Sequence, residues 1–311
     1  LVQIIFMIGK RWWPTSLYVS FLRIIRTKSN QGFLMVFLIL TLSMGIFNAQ
    51  AARTINVNAE DKIRYLAGAD LVLQETWKDN SAMLADNALG GGASGQAELV
   101  YEEPDFGRYQ MLEGIESATK VFVDKKVNLS VEGGRVTATL LGIHTKEFGE
   151  TAWFKESLLS VHWYEYLNAI SQNSRAILVS SNFRAIFGYE VGDVLSYTNA
   201  NGDSMRGIIY GFVDYWPSYA PVTWEKGSDG VYTGMQNFLI VAHLSQLQSS
   251  WGVLPYQIWI KTTDSSQFIY EYAESSDIKY ATFLDVSSEL IDMKNDPIFQ
   301  GTNGILTIGF I

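Results

Sequence analysis

GFLMVFLILTLSMGIFNAQAA, residues 32–52, is a run of 21 positions without a single charged side chain. As an α-helix, with a rise of about 1.5 Å per residue, the run would be about 30 Å long, which matches the hydrocarbon core of a bilayer. The run therefore predicts a transmembrane helix over residues 31–52.

The charges on the two sides of this run differ in sign. The first 30 residues contain five basic residues and no acidic residue, whereas the rest of the chain contains 18 basic and 32 acidic residues. An excess of Lys and Arg beside a membrane helix favours the cytoplasmic side. We therefore expect the chain to cross the membrane outward, so that nearly everything after residue 52 is extracytoplasmic.

The composition excludes several classes of protein. An acidic chain lacks the basic face that neutralises phosphates, so no nucleic-acid partner is expected. Hydrophobic residues make up 48% and aromatic residues 14% of the chain, which is enough to build a packed core. The chain has no cysteine, so disulfides, thiolate catalysis and cysteine-based metal sites are excluded.

Three shorter segments surround the predicted span. Residues 10–30 contain Pro14 followed by apolar side chains four residues apart, which predicts a cytoplasmic amphipathic juxtamembrane helix, although a plain continuation of an earlier span fits the same pattern. Residues 1–9 predict the end of that preceding span. Residues 298–311, which follow a break at Pro297, predict the start of the next one. On this interpretation the chain is part of a longer membrane protein.

A secretory signal peptide is the alternative interpretation of the opening stretch. Residues 49–51, Ala-Gln-Ala, resemble a cleavage site, and cleavage after Ala51 would leave a secreted or singly anchored binding domain. Two features disfavour it: the segment before the apolar run is about 30 residues long with its own apolar stretch, and the run is longer than a usual signal core.

Beyond the span, the apolar pattern predicts a domain of both strands and helices. A break at residues 68–70 separates a helical pattern from a short strand at residues 71–73. Residues 127–131 and 136–140 alternate on either side of a glycine turn, which predicts a hairpin with one buried face. In the last third of the chain strands alternate with helices, which implies an α/β sheet.

Residues 173–235 read as a compact, mainly β unit with an Asn-Gly hairpin turn at residues 201–202. The unit ends in YWPSYAPVTW, residues 215–224, where aromatic side chains stand beside two prolines. Such residues either form a contact surface for a peptide or lipid headgroups, or plug the core of a small β unit, and we favour the plug. The candidate contact residues are Tyr215, Trp216, Tyr219 and Trp224.

The sequence contains no recognisable catalytic, cofactor or metal motif. Gly90 and Gly95 have the spacing of a phosphate-binding loop, but the Lys that must follow is missing. Neither G-x-S-x-G nor H-E-x-x-H occurs, which disfavours an extracytoplasmic hydrolase. His162 falls among apolar residues at helical spacing, so we expect it in a core or an interface rather than in catalysis. The histidines are far apart in sequence: His144, His162 and His243.

Four segments resemble the FtsX-like permeases of ABC transporters, in particular those of the MacB type. The resemblance extends over almost the whole chain and includes the point where it returns to the membrane. The matching segments are RYLAGADLVL (64–73), ILVSSNFRAIFGYEVGDVLSY (177–197), GIIYGFVDYWP (207–217) and NDPIFQGTNGILTIGFI (295–311).

The resemblance implies a fold, a cellular location and a set of partners. The fold would be α+β or α/β: a transmembrane helix and a MacB-like extracytoplasmic domain whose α/β subdomain, residues 53–172 and 236–297, is interrupted by a mainly β insert, residues 173–235. The protein would be a multi-pass permease of the bacterial cell membrane, without catalytic residues or cofactors of its own. Its partners would be the lipid bilayer, a separate cytoplasmic ABC ATPase, and a second permease half or copy. Such proteins act in export or mechanotransmission on peptides, lipids or lipoproteins. From the order of the segments along this chain we also expect the span to act as a lever rather than as an anchor.

Overall fold

The computed structural model describes residues 14–26, 31–81, 99–131, 134–228, 230–263, 265–276 and 278–308. The predicted preceding span over residues 1–9 lies outside these residues, as do the last three residues of the predicted following span. The chain divides into two compact units, one with residues 1–59 and 293–311 and the other with residues 60–292.

The helices of the described chain vary widely in length, and one of them is far longer than the rest. A 3₁₀ turn at Glu156–Leu158 accompanies them. The helices are α1 (Thr15–Arg26), α2 (Gln31–Ala67), α3 (Gly107–Met111), α4 (Thr145–Thr151), α5 (Trp163–Ser171), α6 (Asn182–Phe187), α7 (Leu244–Trp251), α8 (Gln267–Ser276), α9 (Val286–Asn295) and α10 (Pro297–Ile308).

The predicted span is part of α2, which runs for 37 residues. From Gly32 onward this helix is long and apolar enough to cross a membrane. Its large apolar side chains between Phe33 and Phe47 are exposed, and Phe33 is 78% exposed. A soluble domain seldom leaves so large an apolar surface uncovered, so α2 is a candidate membrane span.

One narrow face of α2 is not exposed. Asn303 of α10 donates a hydrogen bond from Nδ2 to Oδ1 of Asn56, at 2.9 Å. Small residues and amide side chains are typical of helix–helix contacts inside membranes. The covered positions recur every three or four residues and therefore share one face: Gly45, Asn48, Ala52, Asn56 and Ala59.

Residues 60–292 contain a large mixed sheet. Nine of the described strands form it, and two short antiparallel ribbons lie outside it. The strands are β1 (Leu71–Glu75), β2 (Lys78–Asp79), β3 (Tyr101–Glu102), β4 (Ile115–Val131), β5 (Gly134–Ile143), β6 (Ala176–Ser180), β7 (Val194–Thr198), β8 (Ser204–Val213), β9 (Val222–Lys226), β10 (Tyr232–Gln236), β11 (Leu239–His243), β12 (Gln257–Thr262) and β13 (Tyr280–Asp285).

The strand order of the sheet is β13-β1-β12-β4-β5-β11-β6-β8-β7. Two neighbouring pairs, β5 with β11 and β6 with β8, are parallel, and the other neighbouring pairs are antiparallel. The ribbons pair β2 with β3 and β9 with β10. The predicted fold class is confirmed: the chain combines an N-terminal apolar helix with a β-rich domain of mixed α and β structure.

The hairpin predicted around the glycine turn is confirmed as β4 and β5. Val131 pairs with Gly134 beside the turn, and Leu129 pairs with Val136. On β4, Val127 and Leu129 are buried while Asn128 between them is exposed, as a strand with one covered face requires.

Helices cover both faces of the sheet. On one face, Leu244 and Leu247 of α7 and Ile269 of α8 join a large apolar cluster. On the other face, Phe148 of α4 and Trp163 of α5 join a second cluster, which is rich in aromatic rings. Burial of apolar side chains on both faces is the main stabilising contribution to this domain.

The segment expected as an inserted subdomain, residues 173–235, contains helix α6 and strands β6 to β10, with β10 ending at Gln236. Its strands β6, β7 and β8 hydrogen-bond into the large sheet instead of forming a sheet of their own, and only the β9–β10 ribbon stands apart. Strand patterning reports which face of a strand is covered and not which strand lies beside it. A subdomain boundary at residues 173 and 235 therefore stays a prediction.

The contact between α2 and α10 can be tested by crosslinking, because the chain has no native cysteine. We expect the pair Asn56→Cys and Asn303→Cys to be joined rapidly by a short, rigid bis-maleimide in membranes, since the two amides are hydrogen-bonded. The matched control is Asn58→Cys with Asn303→Cys, because Asn58 lies about 200° further round the helix. Equal yields from both pairs, measured by peptide mass spectrometry, would contradict the contact.

Candidate functional site: the helix joint

The C-terminal end of α2 is set by one glycine. The amide of Gly68 donates to the carbonyl of Arg64 at 2.8 Å, and its φ of +86° is a left-handed conformation that ends the helix. A Cβ atom at this position would collide with the indole ring of Trp259. Position 68 therefore requires glycine for two reasons: the backbone is in a left-handed conformation, and Trp259 of the sheet lies where a side chain would begin.

The side chain of Tyr65, in the last turn of α2, bonds to a distant turn of the chain. Its hydroxyl donates to the carbonyl of Tyr219 at 2.6 Å and accepts from the amide of Trp216 at 3.1 Å. The amide of Ser218 donates to the carbonyl of Tyr65 at 2.8 Å. Turn 216–219 thus forms three hydrogen bonds with Tyr65. We call the contact of the last turn of α2 with turn 216–219 and with residues 153–155 the helix joint.

Aromatic rings pack against the buried side chain of Trp216 in this turn. Trp216 is fully buried and stacks on Phe148 with 6.0 Å between ring centroids and 3° between planes. Trp163 meets the same indole edge-on, also at 6.0 Å. Tyr219 is buried as well, and its hydroxyl donates to the carbonyl of Asn237 at 2.8 Å. Burial raises the pKa of Tyr219, which keeps its hydroxyl protonated and able to donate.

Residues 153–155 also contact the C-terminal end of α2. The amide of Trp153 donates to the carbonyl of Gly68 at 2.8 Å, and the ring of Phe154 lies 6.3 Å from that of Tyr65. Lys155 forms a 2.7 Å ion pair with Asp61 of α2. Because the Lys155 side chain is 40% exposed, this ion pair adds little stability. The hydrogen bonds and buried rings therefore dominate the joint.

The structure separates the four candidate contact residues into two pairs. Trp216 and Tyr219 are buried in the aromatic-rich cluster that also contains Phe148 and Trp163. Tyr215 is 39% exposed, and Trp224 on the β9–β10 ribbon is 66% exposed. Contact of Tyr215 and Trp224 with a partner stays a prediction.

Sequence reasoning missed Tyr65 as a member of the site. Tyr65 is one tyrosine among 16, and the turn that it binds begins about 150 residues later. Its position three residues before a helix-ending glycine marks the end of the helix but not its partner. Only the tertiary structure brings Tyr65, Phe154 and Trp216 together.

His162 does not lie in the core, and its place in an interface stays a prediction. Helix α5 begins one residue later, and Nδ1 of His162 caps it by accepting from the amide of Tyr164 at 3.3 Å. The side chain of His162 is 43% exposed. Among the described residues, no three His, Cys, Asp or Glu side chains are grouped as metal ligands would be.

The Tyr65 hydroxyl is tested by replacing it with hydrogen. Tyr65→Phe leaves the buried amide of Trp216 without its acceptor, so we expect a loss of about 1–3 kcal/mol in the free energy of unfolding. Tyr215→Phe removes a hydroxyl from a partly exposed neighbour and should change stability by less than about 0.5 kcal/mol. Thermal unfolding of the full chain in detergent measures both, and equal effects would refute the role of Tyr65.

The close approach at Gly68 is tested against a second helix-ending glycine. Gly188 also has a positive φ, of +71°, but no atom lies within 4 Å of the place where a Cβ would stand. We expect Gly188→Ala to cost about 1–2 kcal/mol through backbone strain alone. Gly68→Ala should cost about 1–3 kcal/mol more, because the methyl group meets Trp259. If both variants unfold at one temperature, the Trp259 contact is not tight.

No protein-family model matches this chain, and no curated protein matches it. Several solved structures are similar to it. One is the extracellular domain of the noncanonic ABC-type transporter YknZ from Gram-positive bacteria, with 12% identity, a TM-score of 0.36, and coverage of 70% of this chain and 98% of that one. The second is the periplasmic region of MacB from Actinobacillus actinomycetemcomitans, with 13% identity, a TM-score of 0.38, and coverage of 75% and 98%.

The third is a domain of a protein assigned as a permease from Porphyromonas gingivalis, with 11% identity and a TM-score of 0.34. The aligned region covers 58% of this chain and 80% of the chain of that structure. The TM-scores and identities are low throughout. Two of these structures are thus extracellular or periplasmic regions of YknZ and MacB, and the third is a domain of a permease.

Proposed function

We propose that this chain is a non-catalytic permease subunit of an ABC transporter. It would couple ATP hydrolysis by a separate cytoplasmic ATPase to motion of its extracytoplasmic domain, for export or mechanotransmission of peptide, lipid or lipoprotein substrates. The observation that carries the proposal is the continuity of α2, which is a candidate membrane span in its first half and is held by the helix joint at its last turn.

Helix α2 suits the transmission of movement. No glycine or proline occurs between residues 46 and 67, and sharp helix bends almost always need one or a comparable insertion. A displacement at the membrane end would therefore reach Tyr65 with little lost to bending. Three residues after α2, the chain begins β1, which lies between β13 and β12 in the sheet. The lever would thus act on the sheet itself.

The remaining parts of the proposal concern location and partners. The charge difference across α2 supports a cytoplasmic N-terminal side and an outer domain. The hydrogen bond from α10 to α2 supports a second membrane segment, and hence a multi-pass protein of the bacterial cell membrane. The ATPase, the surrounding bilayer and a second permease half or copy are the partners that follow from this proposal.

A secreted or singly anchored binding domain is the second candidate. It requires cleavage after Ala51, in the middle of α2 and between positions that share its covered face. The apolar core of a signal peptide has about 7–15 residues, whereas the uncharged run here is longer and lies in a helix that continues to Ala67. Mass spectrometry of the mature protein decides between them, because Ala52 as the first residue would favour secretion.

The lever is tested by breaking the helix without replacing any residue. A Gly-Gly-Ser insertion after Arg53 should leave the protein in the membrane and bound to its ATPase. In wild type we expect ATP with vanadate, compared with ADP, to change hydrogen exchange in segments 60–72 and 214–220. The insertion should abolish that difference, because flexible residues do not transmit displacement.

The control is the same insertion between Gly227 and Ser228, in the exposed turn of the β9–β10 ribbon. It adds the same flexible residues outside the lever and should preserve the nucleotide-dependent exchange. A wild-type protein that co-purifies with no ATPase would refute the permease proposal. A normal response from the Arg53 insertion would refute only the lever.

A further inference from the structure

A cleft of about 380 Å³ opens beside the helix joint. Arg64 of α2, the segment Trp153–Phe154, the first turn of α5 and Lys261 of β12 line it. This volume is within the range of small-molecule sites in proteins, which combine apolar walls with a few polar groups. Neither the lever nor the joint requires a cleft at this place.

Aromatic rings form the apolar wall of the cleft. Phe154 and Trp163 pack together with 5.5 Å between ring centroids, and Tyr164 lies 5.1 Å from Trp163. Trp153 is only half-buried, and no aromatic ring in the described part of the chain stacks on it. Because Trp153 lines the cleft, its side chain can contact a flat or apolar ligand there.

The charges of the cleft do not balance. Both of its permanent cations have an acidic partner: Arg64 lies 3.4 Å from Asp70, and Lys261 lies 2.6 Å from Glu116. The carboxylate of Glu150 forms no ion pair with any described residue. Uncompensated negative charge therefore remains beside the aromatic residues of this cleft.

Glu156 adds to this excess. Its carboxylate lies 3.6 Å from Nε2 of His162, and the two form an ion pair only when the imidazole is protonated. The Glu156 side chain is 79% exposed at the rim, so an incoming cation can reach it without moving the wall. Two carboxylates therefore flank the aromatic wall, and neither is neutralised by Arg64 or Lys261.

We propose that this cleft binds an organic ammonium or guanidinium group carried on an apolar body. Ring faces attract cations, most strongly the face of Trp, and the two carboxylates would neutralise the charge. The acidic balance of the chain beyond residue 30 would raise the local concentration of cations near the site. The group can belong to a free amine or to a Lys or Arg side chain of a peptide.

The position of the cleft gives the ligand a regulatory consequence, which rests on the proposed function. Arg64 precedes Tyr65 in α2, and the Phe154 ring touches both the cleft and Tyr65. A ligand packed against Phe154 would stiffen the end of the lever. Binding itself does not depend on an ATPase and can be measured without one.

The test is calorimetric titration of the full-length chain in detergent with matched probes. Benzylamine carries the ammonium, whereas benzyl alcohol and benzoate have the same ring with no charge and with negative charge. N-acetyl-Phe-Lys-amide presents the ammonium as a lysine side chain. We expect saturable binding of one or both amines, with the alcohol and benzoate weaker by about ten-fold or more. The tighter amine identifies the source of the group.

Two double variants of equal charge separate local from general electrostatics. Glu150→Gln with Glu156→Gln should weaken amine binding about ten-fold, because it removes the carboxylates beside the rings. Glu147→Gln with Glu165→Gln, on α4 and α5 but outside the cleft, should change it less than about two-fold. All four side chains are exposed, so both variants should fold.

Three results would overturn the site: no saturable binding of either amine at millimolar concentration, equal affinity for benzyl alcohol, or equal effects of the two double variants. Slower hydrogen exchange in segment 60–72 on amine binding would support the regulatory consequence, and unchanged exchange would overturn that part. None of these results depends on co-purification of an ATPase, so the site and the permease proposal can fail separately.

Discussion

The hydroxyl of Tyr65 is the interaction on which the domain end of the long helix depends. It acts as donor to one backbone group and acceptor from another, both in the buried turn 216–219. An unpaired buried backbone group costs about 1–3 kcal/mol, so the turn can be buried at low cost only when the helix end is in place. Helix and turn therefore fold as one structure, although they are far apart in the chain.

Three residues, Gly68, Ala69 and Asp70, connect the end of α2 in the helix joint to strand β1 of the sheet. Asp70 Oδ2 accepts from the amide of Thr262 at 3.1 Å, and its carbonyl accepts from the amide of Val286 at 3.0 Å. A link this short, bonded on both sides, leaves little slack between α2 and β1. The cleft that we assign to organic cations borders the same link, so ligand and lever would act on one place.

Local features of the sequence were enough to predict several elements. The run of 21 uncharged positions predicted a long apolar helix. The absence of charge suits a membrane span, because a charged side chain inside a bilayer is costly. Strict alternation on both sides of a glycine turn predicted β4 and β5 and their buried face. The aromatic cluster at residues 215–224 was recognised, but its division into two buried and two exposed side chains was not.

The sequence by itself determined where α2 starts to be apolar, which faces of the strands are covered, and that Gly68 ends a helix. Only the tertiary structure decided that β6, β7 and β8 join the large sheet, that Tyr65 meets turn 216–219, and that Arg64 and Trp153 border one cleft. The physical reason is that periodicity reports whether a side chain is covered and not by what. Partners distant in the chain are chosen by complementary shape and by the pairing of buried polar groups, which no local pattern contains.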